Sequence, residues 1–137
     1  MTTGTYILPT AIYVEKVLHT SHAVHVMDDR AHLVPRGTVP SNARVIKIDG
    51  IVAPGFLDLQ VNGGGGVLFN DDPSPQAIDH IRDTHAQYGT IGILPTVITD
   101  APDVIDRAAD AVIAHGQTDY VLGIHIEGPH ISQGRRG

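Results

Sequence analysis

The 137-residue sequence has no cysteine, only two lysines and 4% aromatic residues, and it contains no long apolar run. Each shortage excludes something. Without cysteine there is neither a disulfide framework nor a thiolate nucleophile, which fits a cytoplasmic protein. A membrane-spanning helix needs about 20 consecutive apolar residues, and none is present. Met1-Thr2-Thr3-Gly4-Thr5 lacks the basic and apolar regions of a secretory signal. A formal net charge of −6 with so little lysine speaks against nucleic acid as the main partner. Scarce aromatics leave little surface on which single-stranded bases could stack. The one adjacent basic pair, Arg135-Arg136, reads either as solvated surface or as a phosphate contact.

What is present is ordinary globular composition, 42% apolar and 18% charged, enough for one domain of usual size. Residues 1–53 are β-rich. "TYILPTAIYV", "HAVHVMDD" and "RVIKIDGIVAPG" carry β-branched runs, with turn chemistry in "VPRGTVPSNA" between the last two. The pattern changes at Pro54. "FLDLQVN" is strand-like and is followed by Gly63 to Gly66. Ser74 and Pro75 open a helix that carries Ile78 and Ile81 on one stripe and stops before Gly89. "IGILPTVI" is a strand, "APDVIDRAADAVIAHG" a helix, and "YVLGIHIE" a strand again. This alternation predicts α/β architecture with a parallel sheet over residues 54–137.

Period-2 alternation assigns faces. In the first strand of this part Leu57, Leu59 and Val61 share one side, and Asp58, Gln60 and Asn62 the other. In the third, Leu122, Ile124 and Ile126 oppose Gly123, His125 and Glu127. Polar residues therefore gather toward the carboxyl ends, where parallel α/β folds bind ligands. A carboxylate beside amides suits a metal ion; a structural salt bridge at the strand end is the other reading of Glu127. Asp58, a strand step below Gln60, is read as a hydrogen-bonding residue.

The remaining signals are weaker. His19, His22 and His25 fall on alternating faces, and His80 and His85 lie about 140° apart on a helix, so neither group converges on one ion. The glycine run lacks the last glycine of GxGxxG and is followed by no Gly-Lys-Ser/Thr. It reads as a turn needing positive φ, as a close backbone approach to substrate, or as both. Asp71-Asp72 reads as a helix cap. No serine sits in a G-x-S-x-G elbow.

"APGFLDLQVNGGGGVLFND" (53–71), "GILPTVIT" (92–99) and "VLGIHIEGPHIS…RRG" (121–137) together resemble the N-acetylglucosamine-6-phosphate deacetylase family of the amidohydrolase superfamily. The resemblance is close from about Pro54 onward. It implies a β-rich flanking segment (1–53) before the first three strands of a partial (β/α)8 barrel (54–137). The implied reaction removes acetate from N-acetylglucosamine 6-phosphate. The implied cofactor is one divalent, zinc-like ion, with Glu127 as a ligand. Gln60 and Asn62 stand where many amidohydrolases carry a His-x-His pair; amides are poor zinc ligands, so one ion and substrate-contacting roles for Gln60, Asn62 and Gly63 are expected. The family's two histidine ligands and catalytic aspartate lie on later barrel strands, so no catalytic base is assigned in this sequence. A complete barrel takes about 250 residues, and the expectation is an incomplete chain, inactive alone. Also expected are a small amino-sugar phosphate as partner and, from relatives, a homodimer. Another amide substrate, or a non-catalytic fragment, are the alternatives.

Overall fold

The computed structural model describes residues 4–116 and 118–135. Two compact units follow one another, Met1–Pro54 and Gly55–Gly137. The first is all β: β1 (Thr5–Val14), β2 (Val17–His19), β3 (His22–Met27), β4 (Arg30–Pro35) and β5 (Arg44–Val52). The sheet runs β2-β1-β3-β4, and β5 pairs with β1 in parallel. Two tight hairpins make it compact. Glu15-Lys16 and Asp28-Asp29 all have positive φ, the backbone of a two-residue type I′ turn, whose twist matches that of the strands it joins. Sequence reading missed β2 and β4, because those turns are built without the usual Asn-Gly or Asp-Gly. Arg36 ties the sheet together: its Nε donates to His22 O at 3.1 Å, and its Nη2 to the carbonyl oxygens of Pro9 and Thr10.

The second unit alternates strand and helix. It contains β6 (Phe56–Val61), a glycine hairpin of β7 (Gly63–Gly64) and β8 (Val67–Leu68), α1 (Pro75–Ala86), β9 (Thr90–Ile98), α2 (Pro102–His115) and β10 (His125–Glu127). The parallel sheet has the order β10-β9-β6, so an α/β fold is present. Helix α1 starts as its sequence predicts. Ser74 Oγ accepts the Ala77 N–H at 3.1 Å and Pro75 occupies the first turn, where no N–H is needed. Asp71-Asp72 is therefore not the cap; both amides donate to Leu68 O in the preceding turn. Helix α2 ends at Gly116, whose φ of 79° lets its N–H reach back to Val112 O and Ile113 O. Between helices and sheet lies a core of Val61, Phe69, Ile78, Ile81, Ile93, Val97, Ala108, Ala111 and Val121. Each of its large side chains contributes about 1.5–3 kcal/mol by leaving water.

Two irregularities correct the expected faces. The register of β6 on β9 slips between Asp58 and Val61. Asp58 Oδ1 accepts the Gln60 N–H at 3.1 Å, taking that amide out of the ladder, as Asp side chains do two residues ahead of themselves. With the extra residue, Asp58 and Val61 fall opposite Ile93 and Pro95, on the side of the core, whereas Leu57 and Leu59 stay exposed. The expected aliphatic stripe of Leu57, Leu59 and Val61 is thus split.

The third strand is interrupted in the same way. Ile93 exchanges hydrogen bonds with Tyr120 O and the Leu122 N–H. Two residues on, Pro95 faces the same neighbour and has no N–H to give. The strand lapses through Gly123, at φ 148°, and resumes one residue out of register at His125↔Thr96. Among the described residues of this segment, Val121 and 125–127 pair with β9, in place of the continuous "YVLGIHIE" strand.

Phe56, Leu57, Leu59 and Tyr88 are each at least 59% exposed, and β10 pairs on one side only among the described strands. Bare apolar surface beside an open strand edge favours association. The isolated chain is expected to self-associate with rising concentration in sedimentation velocity; a cooperative monomer at every concentration would contradict this.

Candidate functional site

The carboxyl ends of β6, β9 and β10 bring two of the singled-out residues, Gln60 and Glu127, into contact, and a third, Asn62, follows β6. Gln60 is the penultimate residue of β6, Asn62 follows its last, and Glu127 ends β10. β6 and β10 flank β9, so their backbones are two strand spacings, about 9.5 Å, apart. Even so, Gln60 Nε2 donates to Glu127 Oε2 at 2.7 Å. The two side chains lean over the middle strand and meet.

The backbone of Glu127 is held independently. It pairs with Ile98 in the β9–β10 ladder, and its carbonyl accepts from Thr99 Oγ1 at 3.0 Å. Gly128 makes that approach possible: at φ 115°, a Cβ here would overlap Thr99 Oγ1. Among the described residues no Arg, Lys or His forms an ion pair with Glu127. Its second oxygen, Oε1, has no hydrogen-bond or ion-pair partner among the described residues. His125, on the same side two residues earlier, lies 3.3 Å by Nδ1 from Thr96 Oγ1. That hydroxyl also lies 3.1 Å from Leu94 O, so Thr96 joins the imidazole to the backbone of β9.

Asn70 carried no signal that singled it out. It is buried, its Oδ1 accepts the Ile98 N–H at 2.9 Å, and its Nδ2 donates to Ile98 O and Asp100 Oδ2 at 3.1 Å each. The carboxamide completes the last residue of β9 as a further strand would. Ile98 is the residue that registers Glu127, so Asn70 supports the site from behind.

Other candidates disperse. His19 and His22 meet edge to face at 5.0 Å, and His25 stacks on Tyr6 at 4.2 Å. His115 Nε2 donates to Asp79 Oδ1, joining α2 to α1. Arg135 closes a short 3-10 turn, while Arg136 and Gly137 lie outside the described residues. No three His, Asp or Glu side chains among the described residues are grouped to hold a metal. The site supplies one free carboxylate oxygen, whereas a zinc-like ion takes three or four protein ligands. The donor set fits an ion only as one of its ligands. None of the described helices is long and apolar enough to cross a membrane.

A carboxylate, an imidazole and carboxamides at the carboxyl ends of parallel strands define the class: an α/β protein with its polar site where such folds bind ligands. Known proteins narrow this. No protein-family profile matches. The N-acetylgalactosamine-6-phosphate deacetylase of Shewanella sp. (strain ANA-3) is 47% identical over 90 residues, 64% of this chain and 23% of that protein. The N-acetylglucosamine-6-phosphate deacetylase of Haemophilus influenzae is 34% identical over 109 residues, 77% of this chain and 28% of that protein. Among solved structures, the N-acetylglucosamine-6-phosphate deacetylase of Pasteurella multocida superposes with a TM-score of 0.86 at 31% identity, over 96% of this chain and 36% of that one. The chain thus spans about a quarter to a third of its relatives' length. It is similar to the N-terminal part of N-acetylglucosamine-6-phosphate deacetylases, as the motifs suggested.

Proposed function

We propose that this chain forms one wall of the active site of a metal-dependent amidohydrolase that removes the acetyl group from an N-acetylhexosamine 6-phosphate. Residues 54–137 are the first βα units of a (β/α)8 barrel, and residues 1–53 the β-rich segment flanking it. Glu127 contributes one ligand to a divalent, zinc-like ion through Oε1. Gln60 holds the other carboxylate oxygen and so fixes the direction in which the free one points. Asn62, whose carboxamide has no hydrogen-bond partner among the described residues, and the backbone of Gly63 contact substrate. When bound, the ion supplies Lewis acidity toward water and the amide carbonyl. The general base and the other ligands are not among the described residues. The Gln60–Glu127 hydrogen bond carries the reading, because it unites two strands' polar ends at a carboxylate left half free.

The substrate has two readings. N-acetylglucosamine 6-phosphate follows from the names of most relatives found. N-acetylgalactosamine 6-phosphate is favoured by the higher identity, 47% against 34%, to a protein of that name.

The test grafts the chain in place of the matching part of the Pasteurella multocida deacetylase. The graft is expected to bind one equivalent of metal and release acetate, with the ratio of kcat/KM on the two epimers choosing between them. Glu127→Gln in the graft should lower metal affinity or rate by about 10- to 100-fold or more, as losses at a metal site do. The 137-residue chain alone should release no acetate. A Glu127→Gln graft with unchanged metal content and rate would refute the assignment.

A further inference from the structure

The four glycines following Asn62 carry no side chains, so packing of their own cannot hold them in place. Two histidines of α1 do it instead. His85 Nε2 lies 2.9 Å from Gly63 O, and His80 Nε2 lies 3.0 Å from Gly65 O. Carbonyl oxygens only accept, so each imidazole donates from Nε2. The rings also fill the space that side chains would take. A Cβ on Gly64 would stand 3.1 Å from the His85 ring, and one on Gly65 would overlap His80 Nε2. The glycines are therefore there in part to let backbone lie against two imidazoles. At the hairpin's far end, the Phe69 N–H donates to Asn62 O at 2.8 Å. Asn62 is thus pinned on one side through Phe69 and on the other through Gly63.

We propose that His85, assisted by His80, is a positioning residue: its Nε2–H bond to Gly63 O sets where Asn62 presents its carboxamide at the strand ends. A histidine pair five apart on a helix cannot ligate one ion, but it can clamp two carbonyls two residues apart on a hairpin crossing the helix. The proposal rests on Asn62 contacting substrate, yet its test needs no catalysis. A failed graft would count against the proposed function and leave the clamp standing.

The experiment is NMR on the 137-residue chain, at concentrations at which sedimentation velocity shows the monomer. Long-range 15N spectra should show His80 and His85 protonated at Nε2. In His85→Leu, the Asn62 side-chain amide resonances should shift. Exchange of the Phe69 amide should quicken about three- to tenfold, the equivalent of one net hydrogen bond. His85→Gln, which restores a donor at similar reach, should return both readings toward wild type. An unprotonated Nε2 at His85 in the wild type overturns the clamp. So does a leucine variant with unmoved Asn62 resonances, or a glutamine variant that rescues neither. Should the leucine variant not fold, the wild-type tautomers and the glutamine variant decide.

Discussion

Gly128→Ala is expected to unfold or displace the end of β10, with a stability loss of about 2–4 kcal/mol, among the larger effects of a single substitution. Two terms add. The residue sits at φ 115°, a region in which a side chain costs about 1–3 kcal/mol. The new Cβ would also overlap Thr99 Oγ1. That hydroxyl cannot simply turn away, because it donates to Glu127 O at 3.0 Å. Either the turn moves or Thr99 gives up its bond, and in both cases Glu127 loses its register on Ile98. Denaturant unfolding gives the stability change. Loss of the Gln60 Nε2–Glu127 contact, read from the Gln60 side-chain amide resonances, gives the local one. A Thr99→Ala, Gly128→Ala double variant removes the overlap but not the φ strain, and should recover only part of the loss. If Gly128→Ala melts within a degree of the wild type, the geometry of this turn is not what holds Glu127.

Asn70→Ala is the second large expectation. One truncation at a buried side chain removes three hydrogen bonds and takes from the half-buried Ile98 the partner of its N–H and C=O. A buried polar group left unsatisfied costs about 1–3 kcal/mol, so a total loss of about 2–4 kcal/mol is expected. Asn70→Asp separates shape from donor capacity. The carboxylate can still accept from the Ile98 N–H, but its other oxygen would face Ile98 O and Asp100 Oδ2, both acceptors. It should therefore be at least as harmful as alanine. Chemical denaturation of the three proteins checks the order, and an aspartate variant as stable as wild type would show that the Nδ2 bonds contribute nothing.

Both predictions concern supports of Glu127, and neither support stood out in the sequence. What was legible there was Glu127 itself, a carboxylate closing an apolar strand before Gly-Pro, and the βαβαβ alternation that made it the end of a parallel strand. Ser74 and Gly116 marked a helix start and a helix end through purely local chemistry, and the structure has them in those roles. Period-2 reasoning failed at Leu57, Leu59 and Leu122. Regular alternation assumes an unbroken ladder, while Asp58 takes the Gln60 amide for itself and Pro95 withholds an N–H from the third strand. Both causes were visible as residue types. Their effect was not, because it depends on which neighbour each residue faces.

The same division holds for the molecule as a whole. Residue order by itself determined the helices, the strand-rich first part, the type of fold and the kind of chemistry gathered at the strand ends, since caps, turns and hydrophobic period act over a few residues. Only the tertiary structure decided that Gln60 reaches Glu127 across β9, that Asn70 completes Ile98, and that His80 and His85 grip the glycine hairpin. Those contacts join residues 67, 28, 15 and 22 positions apart. Nothing local to either partner specifies such a pairing; it exists once packing has laid the strands and helices side by side.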